Sequence, residues 1–235
     1  MPGGEWFATV AVVSLRLERL STGADIRVSG PSGPDAVLLL GGTSRAEMPG
    51  TWGTSIRWLA DAARERFPDH AVAELRYFVK SWKRLDLLEA DARAAIEWLV
   101  ANGAQRITLV GFSGGGTAGL SAADEPGVTT LIALAPWLPA KADPPQLRNR
   151  RIAVIHGTLD GLPLLPGTNP RASRAALPRL AALGAATSYT RICGAVHGIV
   201  LTAPWGGIVR LPRAARWREL VLDELATIQL VASSS

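Results

Sequence analysis

Residues 106–123 read RITLVGFSGGGTAGLSAA. An aliphatic run, Ile107 to Val110, predicts a buried strand, and the small residues that follow predict a helix starting at Gly114. Between them Gly111, Phe112, Ser113, Gly114 and Gly115 form a GxSxG pentapeptide. A chain that turns this sharply from strand to helix strains the residue at the apex and brings neighbouring backbone close. Glycine is therefore needed on both sides, and the serine hydroxyl projects clear of the sheet. The helix start aims free backbone N–H groups and a positive dipole end at the place where an oxyanion would form. GxSxG by itself is a weak pattern in a glycine-rich chain. Set between strand and helix signals, it reads as a nucleophile elbow and not as an ordinary Gly-Ser turn.

A serine hydroxyl at its free pKa is a poor nucleophile, so this reading requires a base and an orienting acid further along the chain. Of the three histidines, His197 stands in CGAVHGIVL, after the last strand candidate, where an imidazole can hang over the sheet edge toward Ser113. His70 precedes the fourth strand candidate and His156 ends the seventh; both read as structural or surface residues. For the acid, IAVIHGTLDGLPLLP puts Asp160 just past the C-terminal end of a buried strand, the edge at which open parallel sheets build their sites. Gly157, Gly161 and Pro163 mark that segment as a loop. Asp143 and Asp124 are weaker candidates, Asp143 being preferred only if the acid follows the sixth strand.

Working outward, short β-branched or aliphatic runs predict strands at 9–17, 26–28, 36–40, 71–77, 106–110, 128–133, 152–155 and 187–192. Helical stripes lie between the later ones. In 54–67 the apolar Ile56, Leu59, Ala60, Ala63 and Phe67 share one face, and Pro68 ends the helix. In 86–100 the stripe is Leu88, Ala92, Ala95, Ile96 and Leu99, with Asp86 placed as N-cap and Gly103 beyond the end. Further helices are expected from Gly114, over 171–183 and over 214–230. Strands alternating with such helices require crossover connections and a parallel sheet covered on both faces, an α/β fold. The first strands have only turn-like segments between them, which predicts an antiparallel start to the sheet. No internal repeat or linker divides the chain, and a single domain spanning 1–235 is expected.

Composition sets the outer limits. The chain has 235 residues, 48% of them apolar and 19% charged, with a mean hydropathy of +0.17. That is the composition of a folded chain with a sizeable core and not of a disordered one. Its one cysteine, Cys193, can form no internal disulfide and no cysteine-based zinc site, and reads as a small buried hydrophobe in the last strand. The opening residues lack the basic start and unbroken apolar stretch of a secretory signal, and no apolar run reaches the length of a membrane span; a cytoplasmic protein without membrane attachment is expected. The net charge of +5 and pI near 10.1 raise the possibility of a nucleic-acid partner. The arginines are scattered, however. The tightest clusters are Arg148, Arg150 and Arg151, with no interleaved aromatics, and Arg210, Arg213, Arg216 and Arg218; neither carries a nucleic-acid motif, so a solvated surface is the better reading.

Strand-GFSGG-helix, then HGTLD, then VHG, in the order serine, acid, histidine, resembles the α/β-hydrolase family, specifically its small serine esterases without a large lid. The likeness covers about residues 36–200. It implies a twisted, mostly parallel sheet of about eight strands with helices on both faces, and hydrolysis through an acyl-enzyme with Ser113, His197 and Asp160 as the triad. Family members commonly carry His-Gly after the third strand; this chain has Gly41 and Gly42 in VLLLGGTSRA. A backbone N–H suffices for an oxyanion hole, so Thr43, or alternatively Gly42, is the expected first donor and Gly114 the second. A serine at position 113 is unlike the aspartate nucleophile of dehalogenases and epoxide hydrolases and the cysteine of dienelactone hydrolases. Only about fifteen residues, PWLPAKADPPQLRNR, separate the sixth strand from Arg151, too few for a cap domain, so an open or shallow pocket is expected. Gly42, Trp52 and Trp137 are the expected substrate contacts, with Trp82 and Trp205 also in reach of the sheet edge. The expected partner is a small ester; neither cofactor nor metal is expected, and oligomeric state is left open. The competing reading is a binding protein of the same fold that keeps the pocket without turnover.

Overall fold

The computed structural model describes residues 15–138, 146–162 and 167–232. Along the chain these form β1 (Arg16–Arg19), β2 (Asp25–Ser29), β3 (Asp35–Leu40), α1 (Thr54–Arg66), β4 (Ala71–Arg76), α2 (Leu85–Ala101) and β5 (Arg106–Phe112). There follow α3 (Gly114–Ser121), β6 (Val128–Leu134), β7 (Arg151–Gly157), α4 (Pro170–Ala182), β8 (Ala186–Ile192), β9 (Val200–Thr202), β10 (Ile208–Arg210) and α5 (Ala214–Ala232).

Eight strands form one sheet in the order β1-β2-β4-β3-β5-β6-β7-β8. The β1–β2 and β2–β4 pairs are antiparallel and every later neighbour is parallel. The antiparallel start and the parallel remainder follow the expectation from connection lengths. Strand alternation divides the core into two layers. Leu38, Leu40, Ile107 and Leu109 face a layer shared with α2, α3 and α4. Val37, Leu39 and Val110 face the layer under α1 and α5, where Trp217 is fully buried.

Several local expectations are corrected. Helix α2 begins at Leu85 with Arg84 at its N-cap; Asp86 lies in the first turn and takes Arg84 as partner at 3.0 Å instead of capping. An acidic first turn still complements the helix dipole. Gly103 does follow the helix end, at φ +100°, a value that glycine adopts without Cβ strain. Cys193 is exposed, because β8 ends at Ile192 and the chain turns away at Gly194. The β9–β10 hairpin was not expected; its strands are three residues each, too short for a period-two pattern. The first strand occupies 16–19, and most of the 9–17 segment lies outside the described residues.

A buried ion cluster holds the antiparallel edge to the helix layer. Glu74 of β4 is 1% exposed and accepts from Arg27 of β2 and from Arg64 of α1. Removing one member of a buried set strands the rest without their counter-charge. Glu74→Gln is expected to lower stability by about 3 kcal/mol, seen as a lower urea midpoint at unchanged m.

Candidate active site

The site forms where β5, β7 and the segment after β8 end together at the C-terminal edge of the sheet. Ser113 sits between β5 and α3 with φ 55° and ψ −119°, the strained apex that the GxSxG reading requires. Its N–H donates to Leu134 O at 2.9 Å, and its carbonyl accepts from Gly116 N at 3.0 Å, so the turn is held from both sides. The glycines answer to close approach: a Cβ on Gly111 would lie 2.5 Å from Gly115 O, and one on Gly115 would lie 2.4 Å from Leu40 O. No side chain fits at either position.

His197 Nε2 is 3.1 Å from Ser113 Oγ, and His197 Nδ1 is 2.9 Å from Asp160 Oδ2. The three residues named from the sequence thus form one hydrogen-bonded chain, although 84 residues separate the serine from the histidine. Phe112 supports the imidazole, with ring centroids 5.1 Å apart. Asp160 is 5% exposed. Burial alone would raise its pKa, but hydrogen bonds from His156, His197 and the Thr168 amide outweigh it and hold the carboxyl well below the usual range. An ionised carboxylate only accepts, so His197 Nδ1 carries the hydrogen; in the neutral imidazole Nε2 is then the bare nitrogen, and the Ser113 hydroxyl donates to it.

Asp160 has further donors that the sequence reading missed. Thr168 N donates to Oδ1 at 2.8 Å. His156, set aside as structural, is fully buried, and its Nε2 lies 2.8 Å from Asp160 Oδ2. The spacing of four residues in HGTLD was a signal, since it lets a residue ending β7 and one in the following turn meet. The other acid candidates do not enter the site. Asp124 pairs with Arg93 at 3.0 Å, and Asp143 lies outside the described residues, as does Pro163. His70 packs its ring 5.5 Å from Phe67 at the other end of the sheet.

Ser113 and His197 open onto a cavity of about 480 Å³ that Thr43, Arg45, Gly114, Trp82 and Trp137 also line. Trp82 and Trp137 meet edge to face with centroids 5.9 Å apart. Thr43 and Gly114 are in contact: a Cβ on Gly114 would fall 2.4 Å from Thr43 Oγ1. No hydrogen bond among the described residues uses the backbone N–H of either. Gly42 lies under the Phe112 ring and beside Ser113 Cβ, and is not part of the cavity wall. Two tryptophans are corrected. Trp52 is stacked under Arg27, 4.3 Å from its ring centroid, and under Arg76 at 5.4 Å, so its face is taken by cations away from the cavity. Trp205 is 81% exposed at the β9–β10 turn. Among the described residues no His, Cys, Asp and Glu group is arranged to hold a metal ion, and no helix is long and apolar enough to cross a membrane.

No family model and no curated protein matches the sequence. Solved structures do match in shape. A dienelactone hydrolase-like promiscuous phosphotriesterase from metagenomic libraries superposes with TM-score 0.67 at 15% identity, over 91% of this chain and 97% of that one. Est1E from Butyrivibrio proteoclasticus gives TM-score 0.62 at 14% identity, covering 92% and 99%. A lidless α/β serine hydrolase from Xanthomonas campestris gives 0.56 at 22%, covering 79% and 85%. The chain has the α/β-hydrolase fold.

Proposed function

We propose that this protein is a serine hydrolase that cleaves carboxylic esters or thioesters through an acyl-enzyme. The observation that carries the reading is the hydrogen-bonded chain Ser113–His197–Asp160 at the wall of an open cavity. Ser113 attacks the substrate carbonyl while His197 takes its proton at Nε2; Asp160 keeps the imidazole in the tautomer with Nδ1–H and stabilises the imidazolium. The tetrahedral oxyanion takes the N–H groups of Thr43 and Gly114. His197 then returns the proton to the leaving alcohol or thiol, and water repeats the sequence on the acyl-enzyme. Trp82 and Trp137 wall the acyl side of the cavity, whose volume falls in the range of small-molecule sites. Structural neighbours that are esterases and serine hydrolases support the same chemistry.

The competing reading keeps the cavity for binding alone, but a binding protein has no use for a hydroxyl, an imidazole and a carboxylate in line. Fluorophosphonate labelling and a p-nitrophenyl ester panel of rising acyl length separate the two. The expected result is one label per chain, with turnover at a defined optimum of acyl length. Hydrophobic-ligand affinity with neither labelling nor turnover would make it a binding protein.

A further inference from the structure

We propose that His156 is a positioning residue, a second histidine that holds Asp160 in line with His197. This rests on the serine-hydrolase reading above. His156 and His197 address one and the same oxygen, Asp160 Oδ2, from 2.8 and 2.9 Å. Because that carboxylate can only accept, both contacts are N–H donors, and a neutral His156 is the tautomer with hydrogen on Nε2. Its Nδ1 is buried and has no hydrogen-bond partner among the described residues.

That bare nitrogen is informative. If the ring merely filled space, an apolar side chain would do so without leaving a buried polar atom unpaired. The position retains a polar ring whose single satisfied nitrogen points at the relay.

The surroundings assist. The Thr168 hydroxyl lies 3.2 Å from His156 Nε2 and bonds Ala135 O at 2.9 Å, tying the contact to the end of β6. The other titratable groups on this face are Tyr189 and Arg191 of β8 and Arg174 of α4; Asp160 and both arginines act on Tyr189. None of them is a hydrogen-bond partner of His156.

A second histidine donor on Oδ2 restricts the freedom of the carboxylate to rotate away from His197.

The test is kcat and KM on p-nitrophenyl butyrate for His156→Phe, His156→Gln and His156→Asn, with near-UV circular dichroism to confirm folding. Gln can carry an N–H to about the place of Nε2, whereas Asn is too short. Loss of the donor in His156→Phe is expected to lower kcat by about 10- to 100-fold with KM little changed, the scale of a small misplacement in a catalytic group. His156→Gln should restore kcat to near the wild-type value, and His156→Asn should not.

A folded His156→Phe with wild-type kcat overturns the proposal. Should the Phe variant not fold, the Gln and Asn pair decides: a lowered kcat in Asn alone supports it, and equal kcat in the two overturns it. Absence of labelling and turnover in the wild type would instead remove the serine-hydrolase reading itself.

Discussion

Ser113→Ala is expected to abolish fluorophosphonate labelling and to lower kcat by about 10⁶-fold, because the other members of such a relay achieve little without the nucleophile. The structure makes this a clean experiment. Alanine keeps the Cβ and the φ of 55°, so the elbow stays as strained as before and the backbone bonds to Leu134 O and from Gly116 N are untouched. Only the hydroxyl facing His197 Nε2 is removed. Ser113→Gly at the same position loses activity equally, yet relaxes the backbone and should gain about 1 kcal/mol of stability. Turnover within tenfold of wild type in either variant would mean that Ser113 is not the nucleophile.

The second large effect is expected from Asp160→Asn, about 10⁴-fold in kcat with the fold retained. An amide cannot satisfy the donors that converge on this side chain. With its oxygen at the Oδ2 position it still accepts from His197 and His156, but its NH₂ then faces the Thr168 N–H, which bonds Oδ1 at 2.8 Å in the native chain. Turned over, the NH₂ faces both imidazoles, and His197 must shift its hydrogen to Nε2, where it can no longer take one from Ser113. Steady-state kinetics of the variant on p-nitrophenyl butyrate measure the loss. The carboxylate also links activity to acid stability. Because the folded chain holds this pKa below its unfolded value, the stability it contributes is fully present above about pH 4 and is lost as falling pH protonates it.

His156 and Thr168 extend the site beyond the three side chains in the proposed mechanism. Both bond Asp160 and neither is a hydrogen-bond partner of Ser113, so the acid is the member of the proposed relay with the most elaborate support. An aspartate in a loop after a strand would otherwise be free to turn to solvent. With donors on both oxygens it has one orientation available, and that orientation serves His197.

Much of this was legible along the chain. Strand and helix periodicity carried the alternation of elements, since burial on one helix face or both sheet faces repeats at fixed spacing within a short segment. The GFSGGG run was legible because a strand-to-helix turn this tight excludes Cβ atoms at Gly111 and Gly115, a local demand written in local residues. Asp160 and His197 could be named from their order and from their places after strands, and the structure brings both to Ser113.

What only the tertiary structure decided is which side chains from distant segments share a wall. Trp52 and Trp137 look alike in sequence, each a tryptophan in a glycine- or proline-flanked loop; one is stacked under arginines of β2 and β4, the other meets Trp82 at the cavity. The second histidine donor on Asp160 belongs here too, since the four-residue spacing in HGTLD permits the contact without fixing where the His156 ring points. Periodicity is a property of one segment, whereas these contacts depend on how neighbouring strands end and how the loops beyond them turn.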